Sequence, residues 1–266
     1  MPELPEVETI RRQLAPLVVG RRVLDAGGHP SAKFATAVEA TGSVVGSVRR
    51  RGKYLLVDLD DDRELVIHLG MTGRIRVREP GAPDDIYVRA WWDMGDQVLE
   101  LHDVRRFGRV AVVERGCYSS LATLDRLGPE PLGPDFTPAG LWEALGRSHT
   151  RVKTHLLSQR PVAGVGNIYA DEALWRAKIN PGRRSVGKDA AARLHRALVE
   201  VLDAAVRNGG TTLRDYRTVE GATGTNQFHL ECYGRGGEPC HRCGTVLSRG
   251  VVDGRGTTWC PTCQAR

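Results

Sequence analysis

No stretch of this 266-residue chain approaches the roughly 20 consecutive apolar residues of a membrane-spanning helix. A membrane-embedded function is thereby set aside. The first residues, MPELPEVET, have neither the basic region nor the apolar stretch of a secretory signal, so a cytoplasmic location is expected. Internal repeats and low-complexity tracts are also missing. Cysteine is scarce for most of the length: Cys117 stands alone before a late group of Cys232, Cys240, Cys243, Cys260 and Cys263. In a cytoplasmic chain that distribution speaks against a disulfide framework and for a metal.

Charge is present but unevenly placed. Residues 1–149 carry 20 Lys+Arg against 22 Asp+Glu, and residues 150–266 carry 18 against 10. The basic second half points to a polyanionic partner; a merely solvated basic surface is the plain alternative.

The hydrophobic pattern changes twice along the chain. Residues 6–18 form a helical stripe through Val7, Ile10, Leu14 and Leu17. Short runs follow (YLLVDLD, ELVIHLGM, RIRVRE, YVRAWW, QVLELH, RVAVVE), separated by Gly, Asp and Pro, as in an antiparallel sandwich or barrel. The Pro- and Gly-rich GPEPLGPDFTP reads as a linker. Four helical segments come next: AGLWEALGR, RVKTHLLSQ, NIYADEALWRAKI and KDAAARLHRALVEVLDAAVRN. The turn Arg160–Gly166 between two of them predicts a helix–turn–helix-like unit. The expected fold class is α+β and multidomain: a β-sandwich lobe with its N-terminal helix over residues 1–120, a linker over 121–136, a helical lobe over 137–230 and a cysteine finger over 231–266.

Cys240-x-x-Cys243, 16 residues, then Cys260-x-x-Cys263 has the spacing of a zinc ribbon. Four thiolates close a tetrahedral site, so one structural zinc ion is expected, and a zinc hydrolase is disfavoured for want of an open coordination position. No thioredoxin-like βαβ pattern surrounds the pairs to support redox dithiols. A hairpin of this size has almost no core, so the metal supplies its folding energy and fixes Arg249 and Arg255 in place. Cys117 and Cys232 lack partners at ligand spacing and are expected to be buried thiols.

Met1-Pro2-Glu3 admits two readings. Removal of Met1 would give Pro2 a free secondary amine, partly unprotonated at neutral pH and able to attack a sugar carbon as a covalent nucleophile. Equally, Pro opens helices and Glu in a first turn complements the dipole.

The blocks MPELPEVETIRR, GKYLLVDL, HLGMTG, RRFGR, VAGVGNIYADEAL, GGTTLRDY and YGRGGEPC, with the two cysteine pairs, occur in this order along essentially the whole chain. Together they resemble the formamidopyrimidine-DNA glycosylase / endonuclease VIII family, and within it the formamidopyrimidine branch. The resemblance implies a helix–two-turn–helix lobe, DNA held between the lobes, and base-excision repair of oxidised purines with strand nicking. It assigns a catalytic set: Pro2 as nucleophile, Glu3 as acid–base partner, Lys53 near the lesion phosphate and Arg255 as a phosphate clamp on the finger. It assigns a DNA-binding set too: Glu6 as a second acid of the pocket, Met71, Arg105 and Phe107 as residues entering the vacated stack, Lys153 as a basic cleft residue, and Asn167 as a phosphate clamp or a plain N-cap. Duplex DNA carrying an oxidised base is the implied partner, and the enzyme is expected to be monomeric.

Departures accompany the resemblance: Thr154 where Pro is frequent, GRGTTW where an aromatic pair usually precedes the cysteine, and GATGTNQFHL at 221–230, a loop tied to base choice. Two other readings stay open, an endonuclease VIII-like enzyme for oxidised pyrimidines and a non-catalytic zinc-finger lesion binder.

Overall fold

An acid at the cap and a proline in the first turn start α1 (Leu4–Val18). Glu3 and Glu6 form a reciprocal capping box there, with the Glu3 N–H donating to Glu6 Oε2 at 2.8 Å. Val7, Ile10, Leu14 and Val18 are the buried stripe; Leu17 is only partly buried. A computed structural model describes residues 1–81, 83 and 85–265. In it the chain divides into two compact units, Met1–Asp125 with Asn208–Thr225, and Arg126–Arg207 with Asn226–Arg266.

The first unit adds eight strands: β1 (Asp25–Gly28), β2 (Val45–Arg51), β3 (Tyr54–Leu59), β4 (Arg63–His68), β5 (Arg74–Arg78), β6 (Val88–Asp93), β7 (Val98–His102) and β8 (Arg109–Glu114). They form two antiparallel sheets, ordered β1-β6-β7-β5 and β2-β3-β4-β8. One apolar core joins them, with Leu55, Val57, Leu65 and Ile67 from one sheet and Ile75, Trp92, Leu99 and Leu101 from the other. Tyr216 and Val219 bury in this same core, and the Val219 N–H donates to Gln13 Oε1 at 3.0 Å. That packing draws 208–225 into the first unit, although the sequence pattern joined it to the helical region. The short α2 (Ala122–Asp125) closes the unit.

The second unit contains α3 (Pro138–Gly146), α4 (Val152–Leu157), α5 (Asn167–Ala177) and α6 (Lys188–Arg207). Thr137 caps α3 by accepting from the Gly140 N–H at 3.1 Å. Ala191, Leu194, Leu198, Leu202 and Ala205 give α6 one apolar face. Nine of the eleven α5 residues are buried, leaving it without a solvent face. The α4–α5 turn is tied down by the Gly164 N–H donating to Gln159 Oε1 at 3.0 Å and the Ala163 N–H to the Pro129 carbonyl at 2.9 Å. The finger is a two-stranded hairpin, β9 (Ser248–Val252) and β10 (Arg255–Trp259). Asp253 and Gly254 link the strands at φ 46° and 78°, the signature of a two-residue type I′ turn. No helix among the described residues is long and apolar enough to cross a membrane.

Candidate functional site

Pro2 and Glu3 lie buried immediately ahead of α1. Glu6, one turn on, is also buried. Its carboxylate does more than complete the cap: Oε1 accepts from the Thr211 N–H at 2.6 Å. Gly210 makes this approach possible, with φ +84° and a position where an added Cβ would sit 2.9 Å from Glu6 Oε1. The Tyr216 hydroxyl donates to the Gly209 carbonyl at 3.1 Å. Burial, and after it the charge of Glu6, push this phenol above its ordinary range, so it remains a donor. Glu6 thus fastens residues 209–216 to the start of α1.

Lys53 is buried in the turn joining β2 and β3. Its charge is felt at His68, the last residue of β4. Burial first, then Lys53 and Arg109, hold that imidazole down at about 4. His68 Nδ1 accepts from the Gly70 N–H at 3.2 Å, and its ring lies 4.6 Å from that of Tyr54. The neutral ring therefore keeps its proton on Nε2. Sequence reasoning passed over His68, although it opens the HLGMTG block; nothing local to a strand histidine reveals a lysine from the neighbouring turn.

Met71, Arg105 and Phe107 occupy two loops that one carboxylate holds together. Asp103 is fully buried. Its Oδ1 accepts from the Thr72 hydroxyl, its Oδ2 from the Gly108 N–H at 2.7 Å, and its carbonyl from Arg89 Nε at 2.8 Å. Gly70, at φ +64°, lies so close that an added Cβ would be 2.3 Å from the Phe107 carbonyl carbon. Arg106 itself has φ 55°, a strained value for a side-chain-bearing residue. These fixed loops leave Met71 40% and Phe107 47% exposed, with the Arg105 guanidinium 4.8 Å from the Phe107 ring centre. Two apolar wedges and a flat cation are offered together on a rigid support. Asp103, which aims them, carries no sequence signal beyond its charge.

In the second unit the structure places Lys153 in the interior, with no exposed surface. Its ammonium pairs with Asp171 Oδ1 at 2.7 Å and donates to the Gly256 carbonyl and Thr257 Oγ1, each at 2.9 Å. It therefore anchors the finger from within. Asp171 also accepts from the Thr258 N–H at 2.9 Å; burial, outweighing Lys153, pushes its carboxyl up to about 6. Asn167 is not the N-cap of α5. Gly166 holds that position, and Asn167 Nδ2 instead donates to the Gly256 carbonyl at 3.0 Å. Arg255, next to Gly256, is exposed at the start of β10. Lys153, Asn167 and Arg255 are thus brought together around one peptide group.

Glu172, also buried, accepts from the backbone N–H groups of Glu231, Cys232 and Tyr233 at 2.7–3.0 Å. The Thr154 hydroxyl and Arg151 both hold Asp253, the latter at 3.0 Å. The four ligand sulfurs all lie within 4.8 Å of one another, and a tetrahedral thiolate site with bonds of about 2.3 Å asks for sulfurs roughly 3.8 Å apart. Donors support two of them, Trp175 Nε1 to Cys240 Sγ at 3.4 Å and the Cys263 N–H to Cys260 Sγ at 3.3 Å. Cys240, Cys243, Cys260 and Cys263 fit one structural zinc ion. Of the two remaining cysteines, Cys232 is buried as expected, but Cys117 is exposed because it sits in the turn after β8.

Comparison with known proteins gives concordant results. Residues 1–110 match the formamidopyrimidine-DNA glycosylase N-terminal domain, residues 127–217 its H2TH domain, and residues 237–266 the zinc finger found in FPG and IleRS. The formamidopyrimidine-DNA glycosylase of Herpetosiphon aurantiacus is 46% identical, with both chains covered completely. That of Thermus thermophilus is 48% identical over 99% of this chain and 98% of its own. The crystal structure of MutM (FPG) from the same Thermus species superposes with a TM-score of 0.93 at 47% identity, covering 100% of this chain and 99% of that one. A Lactococcus lactis FPG mutant in complex with Fapy-dG-containing DNA superposes at 0.92 with 36% identity and full coverage of both chains. With its β-sandwich, helical and zinc-finger modules in this order, the chain belongs to the formamidopyrimidine-DNA glycosylase family.

Proposed function

We propose that this protein is a base-excision-repair DNA glycosylase that removes oxidised purines, formamidopyrimidines and 8-oxoguanine among them, and then nicks the strand as a lyase. The observation that carries the reading is the N-terminal arrangement: Pro2 buried beside Glu3, with Glu3 held by the capping box to Glu6. Family membership supports it. So do the substrates named for solved relatives, which include Fapy-dG and carbocyclic 8-oxo-G in DNA.

A stacked base is out of reach, so the damaged nucleotide must leave the helix at a cost of a few kcal/mol. Met71 and Phe107 replace the lost stacking, and Arg105 offers donors to the orphaned partner base. With Met1 removed, the Pro2 amine attacks C1′ while Glu3 supplies and takes up protons. The base departs and a Schiff base forms. Successive β- and δ-elimination leave a one-nucleotide gap with phosphate ends. Lys53 meets the phosphate near the lesion and helps the elimination. Arg255 grips phosphate from the finger tip, and Asn167 adds the second N–H of its amide. Lys153 acts through Gly256, as a positioning residue for that grip. Zinc holds the finger and takes no part in the chemistry. The enzyme acts as a cytoplasmic monomer on the nucleoid.

Borohydride trapping on a duplex with one 8-oxoguanine opposite cytosine tests this. A covalent protein–DNA band that vanishes when the N-terminus is extended is the expected result. Tight lesion binding without a band, in protein whose Met1 has been removed, would assign the chain to lesion recognition alone.

A further inference from the structure

A concavity of about 500 Å³ lies within the second unit, apart from the residues gathered around Gly256. Arg126, Arg147 and Arg160 line it. They arrive from three separate segments: the start of the unit, the C-cap of α3 and the turn after α4. All three are exposed, and none forms an ion pair among the described residues. No carboxylate and no aromatic side chain besides His155 shares the lining. On α4, His155 projects about 200° around the axis from Lys153, and Thr154, whose hydroxyl is taken by Asp253, completes that wall. Ser148 and Thr150 also line the concavity and are hydrogen-bonded to each other at 2.8 Å. One hydroxyl of that pair accepts, and its own proton is left for a ligand.

Three unpaired guanidiniums around one hollow repel each other unless an anion sits among them. Their planar forks match phosphate oxygens. A nucleotide would ask for more, with a broad ring for the base and a carboxylate for the ribose hydroxyls, and the lining supplies neither. We propose that this concavity is a second phosphodiester-binding site, gripping the DNA backbone away from the damaged base. The proposal rests on the DNA-repair reading above and deepens it. Because only the backbone is gripped, the site adds equally to binding of damaged and undamaged duplex.

The test is the triple variant Arg126→Gln, Arg147→Gln, Arg160→Gln, with zinc content and melting temperature confirming its fold. Binding of a long labelled duplex, with and without a stable abasic analogue, is followed across a salt series. The expected result is a drop of about tenfold in affinity for both duplexes at physiological salt. The slope of log affinity against log salt flattens by about 1–2, at about 0.9 for each phosphate no longer neutralised. Unchanged affinity and slope overturn the site. So does a variant that loses binding of inorganic phosphate while holding duplex DNA as before, since that assigns the hollow to a small anion. Borohydride trapping by the unaltered protein reports on the enzyme reading separately. If trapping succeeds while the triple variant shows the parental salt slope, the site alone is wrong.

Discussion

The two units solve the same problem, holding a few exposed side chains in fixed directions, with opposite means. In the first, a broad apolar core spans both sheets and α1, and buried carboxylates have only to fasten loops to it. Asp103 ties Thr72 to Gly108, and Glu6 ties Glu3 to Thr211. Under the finger the apolar cluster of described residues is small: Trp175 of α5 with Cys232, Cys240, Leu247 and Cys260, and Cys263 packed against it. There the polar links of Lys153, Asp171, Asn167 and Glu172, together with zinc, carry the fold itself. Where burial is plentiful, polar groups orient; where it is scarce, they hold.

Metal removal is the most severe way to break that comparison. Structural zinc contributes on the order of 10 kcal/mol to folding of such fingers. A chelator should therefore unfold residues 237–266 and abolish DNA binding while the sandwich stays native. Limited proteolysis with fragment mapping checks it; digestion of both units together would show that the sandwich is not self-sufficient. Next in size is Lys153→Met, which leaves Asp171 buried and unpaired and should cost about 3–5 kcal/mol. Replacing both, Lys153→Met with Asp171→Leu, should cost less than the single change, read by urea denaturation of the second unit.

Acidity should act on the two units in opposite directions. The folded value of His68, about 4, lies below its ordinary 6.5. Between those values the unfolded chain binds the extra proton, so the first unit is stabilised above pH 6.5 and loses that contribution as pH falls through 4, by up to about 3 kcal/mol. Asp171 is raised to about 6 from 3.8, so its contribution is present below 3.8 and lost as pH rises through 6. Unfolding curves of His68→Asn from pH 4 to 7 should lack the acid-side slope; a slope unchanged in the variant would place its origin elsewhere. The smallest effect belongs to Thr154→Val, which deletes the hydrogen bond to Asp253 at a cost of about 1 kcal/mol. It should slightly weaken duplex binding and leave zinc content intact, and Thr154→Ser should restore it.

Much of this architecture can be read from residue patterns alone. Six strands and the helices around 6–18 and 139–208 announce themselves through period and length, and the cysteine spacing announces the zinc. β1 and β2 do not: Asp25–Gly28 is half glycine, and Val45–Arg51 ends in three arginines that mask its apolar positions. Nor does the excursion of 208–225 into the first unit, because Tyr216 and Val219 are committed by packing against distant residues. Pro2, Glu3 and the loop carrying Arg105 and Phe107 stand out as motifs. The residues that aim them are another matter. A lysine is ordinarily read as solvated, and only the fold discloses that Lys153 is interior and Asp103 a clamp.

The Gly256 carbonyl, which receives both Lys153 and Asn167, works as a surveyor's benchmark. Helix α4 and helix α5 both take a bearing on the finger hairpin from that oxygen. An error in either helix therefore reaches Arg255 undiluted, and the finger cannot be re-aimed by adjusting one helix alone. Asp253, held by Thr154 of α4 and by Arg151 at its N-cap, gives a second sighting at the turn, so the direction of Arg255 is fixed on both sides of it.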